Sequence, residues 1–265
     1  MEDTGVKKLV PTVIFEDDNI VVINKPAGLM VHPDGKSDEY TLCDWFVSQN
    51  PDCKDVGEPI EIIHKGENIT IQKPGIVHRL DKETSGVMVL VKNQPTFLFV
   101  KRQFKNHTIR KIYRAFVYGF LKEDIGLINA PIGRSVGDIR MWNAGRGARG
   151  ELREATTRYR TLARFSDLAA NEYETQQPPL DHRYSYVELY PMTGRTHQLR
   201  VHMKFINHAI VSDYLYASNK EKALGFNRVA LHAHSLELEM SNGERRKFEA
   251  PMPEDFEKVL LLANN

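Results

Sequence analysis

HRLDKETSGVMVLVK, residues 78–92, decides how the rest of the chain is read. Its first half is densely charged. Ser85-Gly86 then opens into Val87-Met88-Val89-Leu90-Val91-Lys92, an apolar β-branched run that predicts a strand entered through a tight turn. One carboxylate, Asp81, is bracketed by Arg79 and Lys82. A neighbouring guanidinium lowers an Asp pKa by roughly 1 to 3 units, and ionised carboxylates act as nucleophiles in glycosyl chemistry. Taken alone, the segment fits a blander reading better: Asp81 closing an Asx-turn with the amides that follow it.

Outward from this segment the pattern is strand-rich. Residues 19–25, NIVVINK, form a second apolar run, stopped by Pro26-Ala27-Gly28. Phe97, Val100 and Phe104 recur at helical spacing after Pro95, which predicts an amphipathic helix over 95–107 with a cationic outer face. RKIYRAFVYGF, residues 110–120, reads as a long strand. On a two-residue period Lys111, Tyr113, Ala115 and Val117 share one face, while Arg110, Ile112, Arg114, Phe116 and Tyr118 share the other. Further strands are expected at 156–163, 184–190 and 234–240, and helices at 196–206 and 254–263. Many strands with few helices predict an α+β fold with a mixed, mostly antiparallel sheet. Residues 52–74 and 171–183 read as surface insertions. The expected organisation is a short N-terminal extension, residues 1–13, followed by one catalytic domain over 14–265.

The composition excludes several classes. The chain has 265 residues, 41% hydrophobic and 27% charged, with a formal net charge of +1. That suits a globular enzyme and not a chain that coats nucleic acid indiscriminately. No apolar run approaches the roughly 18 residues of a membrane helix. The acidic N-terminus is unlike a secretory leader. Cys43 and Cys53 fit no metal or disulfide framework, so a cytoplasmic protein is expected.

Charge is nevertheless clustered. Between Glu83 and Glu123 the sequence has no acid, but it has Lys92, Lys101, Arg102, Lys105, Arg110, Lys111, Arg114 and Lys122. Between Glu188 and Asp213 it carries Arg195, Arg200 and Lys204, with His197, His202 and His208, again without an acid. Arg134, Arg140, Arg146 and Arg149 lie in a Gly-rich segment, 134–150, that reads as a mobile loop ordering on RNA. Any one cluster fits the solvated face of an ordinary element. Together they predict a polarised surface that steers a polyanion.

GRTHQLRVHM, residues 194–203, forms the second constellation. Leu199, Met203 and Ile206 make a core-facing stripe, with His197, Arg200 and Lys204 on another face. Thr196 is the expected N-cap. Arg195 would then lie just before the helix, where free amides favour an anion. Periodicity alone fits an amphipathic helix with a cationic solvent face equally well. Histidine spacing argues against a metal site, and no phosphate-binding glycine loop is present.

In order along the chain, five segments resemble the RluA family of RNA pseudouridine synthases. They are FEDDNIVVINKPAGL (15–29) ending in Val31-His32-Pro33, HRLDKETSGVMVLVK (78–92), KIYRA (111–115), GRTHQLRVHM (194–203), and Leu231-His232-Ala233 with Ala250-Pro251-Met252-Pro253. The resemblance implies the pseudouridine synthase fold with a deep active-site cleft, and isomerisation of uridine to pseudouridine in RNA by base flipping. It implies Asp81 as the catalytic aspartate, Tyr113 against the target base, and Arg195 paired with Asp81. It implies RNA contacts by Arg79, which helps displace the base, and no cofactor or metal. His78, Lys101, Arg102, Lys105, Lys111, Arg114, His197 and Arg200 are the further RNA-binding candidates. A monomer acting on a tRNA or ribosomal RNA stem-loop is expected, with no basic S4-like domain before residue 14. A non-catalytic RNA-binding or ribosome-assembly protein is the rival class, and a hydrolytic nucleosidase is a third.

Overall fold

Strand β5 (Ser85–Val91) is buried at all seven positions. An apolar run without alternation suits a strand covered on both faces. The computed structural model describes residues 8–35, 37–64, 67–145, 147–167 and 178–263. The chain divides into two compact units, one formed by residues up to Ile109 with Ser235–Pro251, the other by Arg110–His234 with the C-terminal residues from Met252. The fold class is α+β, as the sequence predicts, with antiparallel pairing in the ladders set out below.

In the first unit, β1 (Thr12–Glu16) pairs with β2 (Ile20–Lys25), and β2 with β5. Asp17 shapes the β1–β2 turn by accepting from the amides of Asn19 and Ile20, both at 2.8 Å. The register runs from Ile20 opposite Val91 to Lys25 opposite Gly86. The end of β2 and the start of β5 therefore lie side by side, which places the segment carrying Asp81 next to the Pro26–Leu29 turn. Helix α1 (Leu42–Gln49) starts at a Thr41–Asp44 capping box. Helix α2 (Gln94–Lys105) is capped by Asn93, whose Oδ1 accepts from the Thr96 amide at 3.0 Å.

Periodicity placed Phe97, Val100 and Phe104 on the buried face of α2. Phe97 and Val100 are buried, but the third buried position is Gln103. Its side chain clasps Glu239 both ways, donating to the carbonyl and accepting from the amide, each at 2.9 Å. Phe104 instead stacks on His78, ring centroids 4.6 Å apart. Glu239 ends β13 (Leu231–Glu239), whose second half pairs with β14 (Arg245–Glu249). The 52–74 stretch is not featureless. It contains a hairpin of β3 (Ile60–His64) and β4 (Glu67–Ile71).

In the second unit, β6 (Arg110–Tyr118), β12 (Arg183–Pro191), β11 (Thr156–Ser166) and β7 (Ile125–Asn129) pair in that order. Phe116 centres the core, within 4.8 to 5.9 Å, centroid to centroid, of Tyr186, Phe226, Phe256 and Phe165. Phe256 comes from the C-terminal helix α4 (Glu254–Ala263). Helix α3 spans Gln198–Phe205.

The 134–150 segment, expected as a mobile loop, instead belongs to a three-stranded sheet. Strand β8 (Ile132–Ser135) lies between β9 (Trp142–Ala144) and β10 (Ala148–Arg153). Glycine misled the reading here, because Gly145 and Gly147 supply the positive-φ turn between two short strands. Arg146, and residues 168–177 with most of the expected 171–183 insertion, lie outside the described residues. Among the described residues no helix is long and apolar enough to cross a membrane.

Candidate active site

The turn bearing Asp81 is fixed by backbone contacts. Thr84 N–H donates to the Asp81 carbonyl at 3.1 Å, and Gly28 N–H to the Lys82 carbonyl at 2.8 Å. Gly28 takes φ +88, which admits a side chain only with strain. Beneath the turn lies Lys25, 0% exposed. Its Nζ donates to the carbonyls of Pro26 (2.8 Å), Leu29 (2.8 Å) and Lys82 (3.1 Å). An ammonium has three N–H donors, and each of these carbonyls takes one. The lysine thus ties the β2 turn to the Asp81 turn. Sequence reasoning gave it no role; a cation closing an apolar strand before Pro-Ala-Gly was the available signal.

Asp81 is half-buried and Arg79 beside it is exposed. The Arg79 guanidinium lies 3.2 Å from His32 Nε2. Burial lowers the pKa of both His32 and Lys73, and in each case the charge of Arg79 adds to the effect. His32 is thereby kept neutral and accepts from Arg79, while Lys73 adds a second cation near it; the sequence reading singled out neither as a site residue. His78 does structural work: its Nε2 accepts from Val89 N–H at 3.0 Å, which ties the segment before Asp81 to the body of β5. On α2, Arg102 and Lys105 are exposed, but Lys101 pairs with Glu58.

Tyr113 and Arg195 belong to the second unit. Tyr113 is half-buried on β6, whose burial deepens along the strand from exposed Arg110 to buried Ala115–Tyr118 instead of alternating. Arg114, on the opposite face, is not a free RNA contact. It pairs at 2.9 Å with Glu188, whose side chain is 5% exposed and also holds Arg160 at 2.7 Å. Burial opposes ionisation of Glu188, but the hydrogen bond from Tyr190 and the two guanidinium charges outweigh it and lower the pKa.

The Arg195 loop is pinned by the buried amide of Gln198. Its Oε1 accepts from the Arg195 amide (2.9 Å) and the Thr193 hydroxyl (2.7 Å), while Nε2 donates to the Thr156 carbonyl (3.0 Å). Arg195 Nε donates to the Glu154 carbonyl at 2.9 Å. Thr196 is not the N-cap. Helix α3 starts later, at His197, which takes φ 55 and sets Nδ1 2.9 Å from the Tyr216 hydroxyl.

Of the cationic face weighed for α3, Lys204 is exposed but Arg200 is not. Arg200 is 3% exposed and grips Asp213 through two hydrogen bonds, 2.7 and 2.8 Å. His202 is buried between the Ala130 carbonyl, to which Nε2 donates, and the Thr157 hydroxyl. Burial lowers its pKa.

Lys111 shares the Tyr113 face of β6. A Cβ built on Gly194 would lie 3.9 Å from its Nζ, so Lys111 reaches the segment carrying Arg195. Burial alone pushes its pKa down to about 8. Among the described residues no three or more His, Cys, Asp or Glu side chains are arranged to hold a metal.

Comparison with known proteins assigns the chain. The family model described as RNA pseudouridylate synthase matches residues 19–205. The chain belongs to this family. An uncharacterised RNA pseudouridine synthase of Synechocystis sp. is 36% identical over 94% of this chain and 68% of its own length. A ribosomal large subunit pseudouridine synthase D of Borreliella burgdorferi is 34% identical over 95% of this chain and 68% of its own. The solved structure of human RNA pseudouridylate synthase domain containing 4 aligns with TM-score 0.68 and 25% identity over 96% of this chain and 93% of its own. Its motifs and relatives are those of the RluA family, and it isomerises uridine to pseudouridine in RNA.

Buried Lys25 and half-buried Lys111 predict opposite outcomes. Lys25→Met removes the shared donor of three carbonyls, that of Leu29 buried and those of Pro26 and Lys82 partly so, and should destabilise the fold by about 2 to 4 kcal/mol in urea unfolding. Lys111→Met should stabilise it at pH 7, by up to about 3 kcal/mol. The sign follows from linkage: a Lys pKa depressed on folding makes protonation cost stability. That cost is full below about pH 8 and vanishes as pH rises past 10.5. The gain should therefore fade between those values when unfolding is measured across pH.

Proposed function

We propose that Asp81 is the carboxylate that engages the target uridine while N1–C1′ breaks and C5–C1′ forms, and that the substrate is ribosomal RNA. What carries this reading is the Asp81 turn itself, locked through Lys82 by the Lys25 ammonium and the Gly28 amide, with Arg79 beside it. A carboxylate presented on a pinned backbone needs little reorganisation on reaching its transition state. The ribosomal choice draws on the Borreliella relative's name. A cytoplasmic monomer is the proposed working state.

The steps balance as an isomerisation. The uridine leaves its stack at a cost of a few kcal/mol, and stacking on an aromatic ring such as Tyr113 returns roughly 1 to 3. The N1–C1′ bond breaks, the uracil turns, and C5 bonds to C1′. The proton on C5 then leaves and N1 gains one. Arg79 helps hold the RNA with its target extruded, and Arg195 stabilises negative charge during the reaction.

Asp81→Asn should keep RNA affinity within about threefold and abolish pseudouridine formation, scored by chemical labelling of ribosomal RNA transcripts. Substantial turnover by this variant would remove the assignment, and free uracil from the wild-type enzyme would indicate hydrolysis instead. Arg195→Met should lower turnover far more than RNA affinity. An equal fall in both would mark Arg195 as a phosphate contact.

A further inference from the structure

Tyr214 stands out because its ring is 62% exposed in a segment that is otherwise closely held. It follows Asp213, which is 1% exposed. The Asp213 carboxylate binds Arg200 and accepts from the amides of Leu215 and Tyr216, both at 3.0 Å. Ser212, before it, sits at φ 57 and donates its hydroxyl to the Phe226 carbonyl at 3.0 Å. The Arg200 guanidinium carbon lies 5.7 Å from the Tyr214 ring centroid. An exposed ring is thus carried on a rigid turn with a buried cation against it.

The neighbouring chain is cationic and aromatic. Arg140 lies within electrostatic reach of Tyr214. Arg134 stacks on Trp142, its guanidinium carbon 4.4 Å from the ring centroid. The Trp142 amide donates to the Tyr216 hydroxyl at 3.0 Å, joining β9 to the Tyr214 segment. Lys204 lies 5.8 Å from the Tyr216 ring centroid. The acids of the three-stranded sheet, Asp138 and Glu151, already pair with Arg140 and Arg153. Arg134, Arg149 and Lys204 leave the patch with an excess of positive charge.

We propose that Tyr214, with Arg140 and the Arg134–Trp142 stack, forms an RNA-contact surface that holds an unpaired nucleotide other than the one that reacts. Unpaired bases stack on exposed aromatic rings and guanidinium planes while cations take the phosphates. The Asp213 turn fixes the ring beforehand, so little ordering is lost on binding. Exposed Val136 and Ile139, 62% and 76% accessible, would suit a protein partner, but the charge excess favours a polyanion. The inference rests on RNA being the substrate and deepens that reading by locating part of the RNA-binding surface.

Binding of a short fluorescein-labelled oligouridylate to the full chain tests it. Tyr214→Ala should weaken binding roughly five- to hundredfold, the range for losing one stacked base. Tyr214→Phe, which keeps the ring, should stay within about twofold of wild type. Arg134→Ala should lower the salt slope of log affinity by about one. On ribosomal RNA transcripts, Tyr214→Ala should raise KM and leave kcat unchanged, so its failure is separable from loss of the activity itself. Wild-type affinity in Tyr214→Ala would overturn the proposal and leave the patch to a protein contact. An equal loss in Tyr214→Phe would overturn it too, by making the hydroxyl and not the ring responsible.

Discussion

A buried ammonium bonded to three backbone carbonyls holds the turn that carries Asp81 in place. Lys25 ends a strand whose other residues are almost all buried, and its charge is removed from water with it. An isolated charge in that position would be very costly. Here the cost is offset because the three acceptors come from two chain segments that must meet, Pro26–Leu29 and Lys82. The carbonyls need a donor and the ammonium needs acceptors, so neither segment can move without stranding the other. The position of Asp81, one residue before Lys82, follows from this mutual requirement.

Lys111 shows the opposite arrangement. Among the described residues its amine has no hydrogen-bond acceptor, and burial alone depresses its pKa. A stable fold has no use for such a group. Lys25 ties two segments of the fold together, whereas Lys111 carries a desolvation cost that the fold does not offset, a contrast the sequence does not show.

The regular elements were legible because their signals are local. The apolar runs at 19–25 and 87–92 and the helical spacing of Phe97 and Val100 each reflect one segment's burial pattern, and the aromatic and apolar content of 110–118 marks its strand. The motifs also placed Asp81, Tyr113 and Arg195 on turn, strand and loop. The details that fix those residues depend on distant partners and were not legible. Gln103 takes a buried helix position because Glu239, 136 residues away, offers both halves of a backbone pair. Gln198 moves the start of α3 because its amide bonds Arg195, Thr193 and Thr156 together.

Acid-free stretches proved a poor guide to surface charge, for a geometric reason. A run without carboxylates in sequence is bounded by carboxylates, and folding can bring those back onto the run. Glu188 and Asp213 delimit one cationic stretch. Glu188 takes Arg114 and Arg160 from neighbouring strands, while Asp213 takes Arg200 from within the stretch. Both acids are buried, so Arg114 and Arg200 are drawn toward the interior, and Arg160, though exposed, is partly neutralised. What remains cationic at the surface is a smaller set that includes Arg79, Arg102, Lys105 and Arg134. Long-range steering by a protein of near-neutral net charge must come from such leftover groups, and their number, not the count of basic residues in the sequence, bounds the salt dependence of RNA binding.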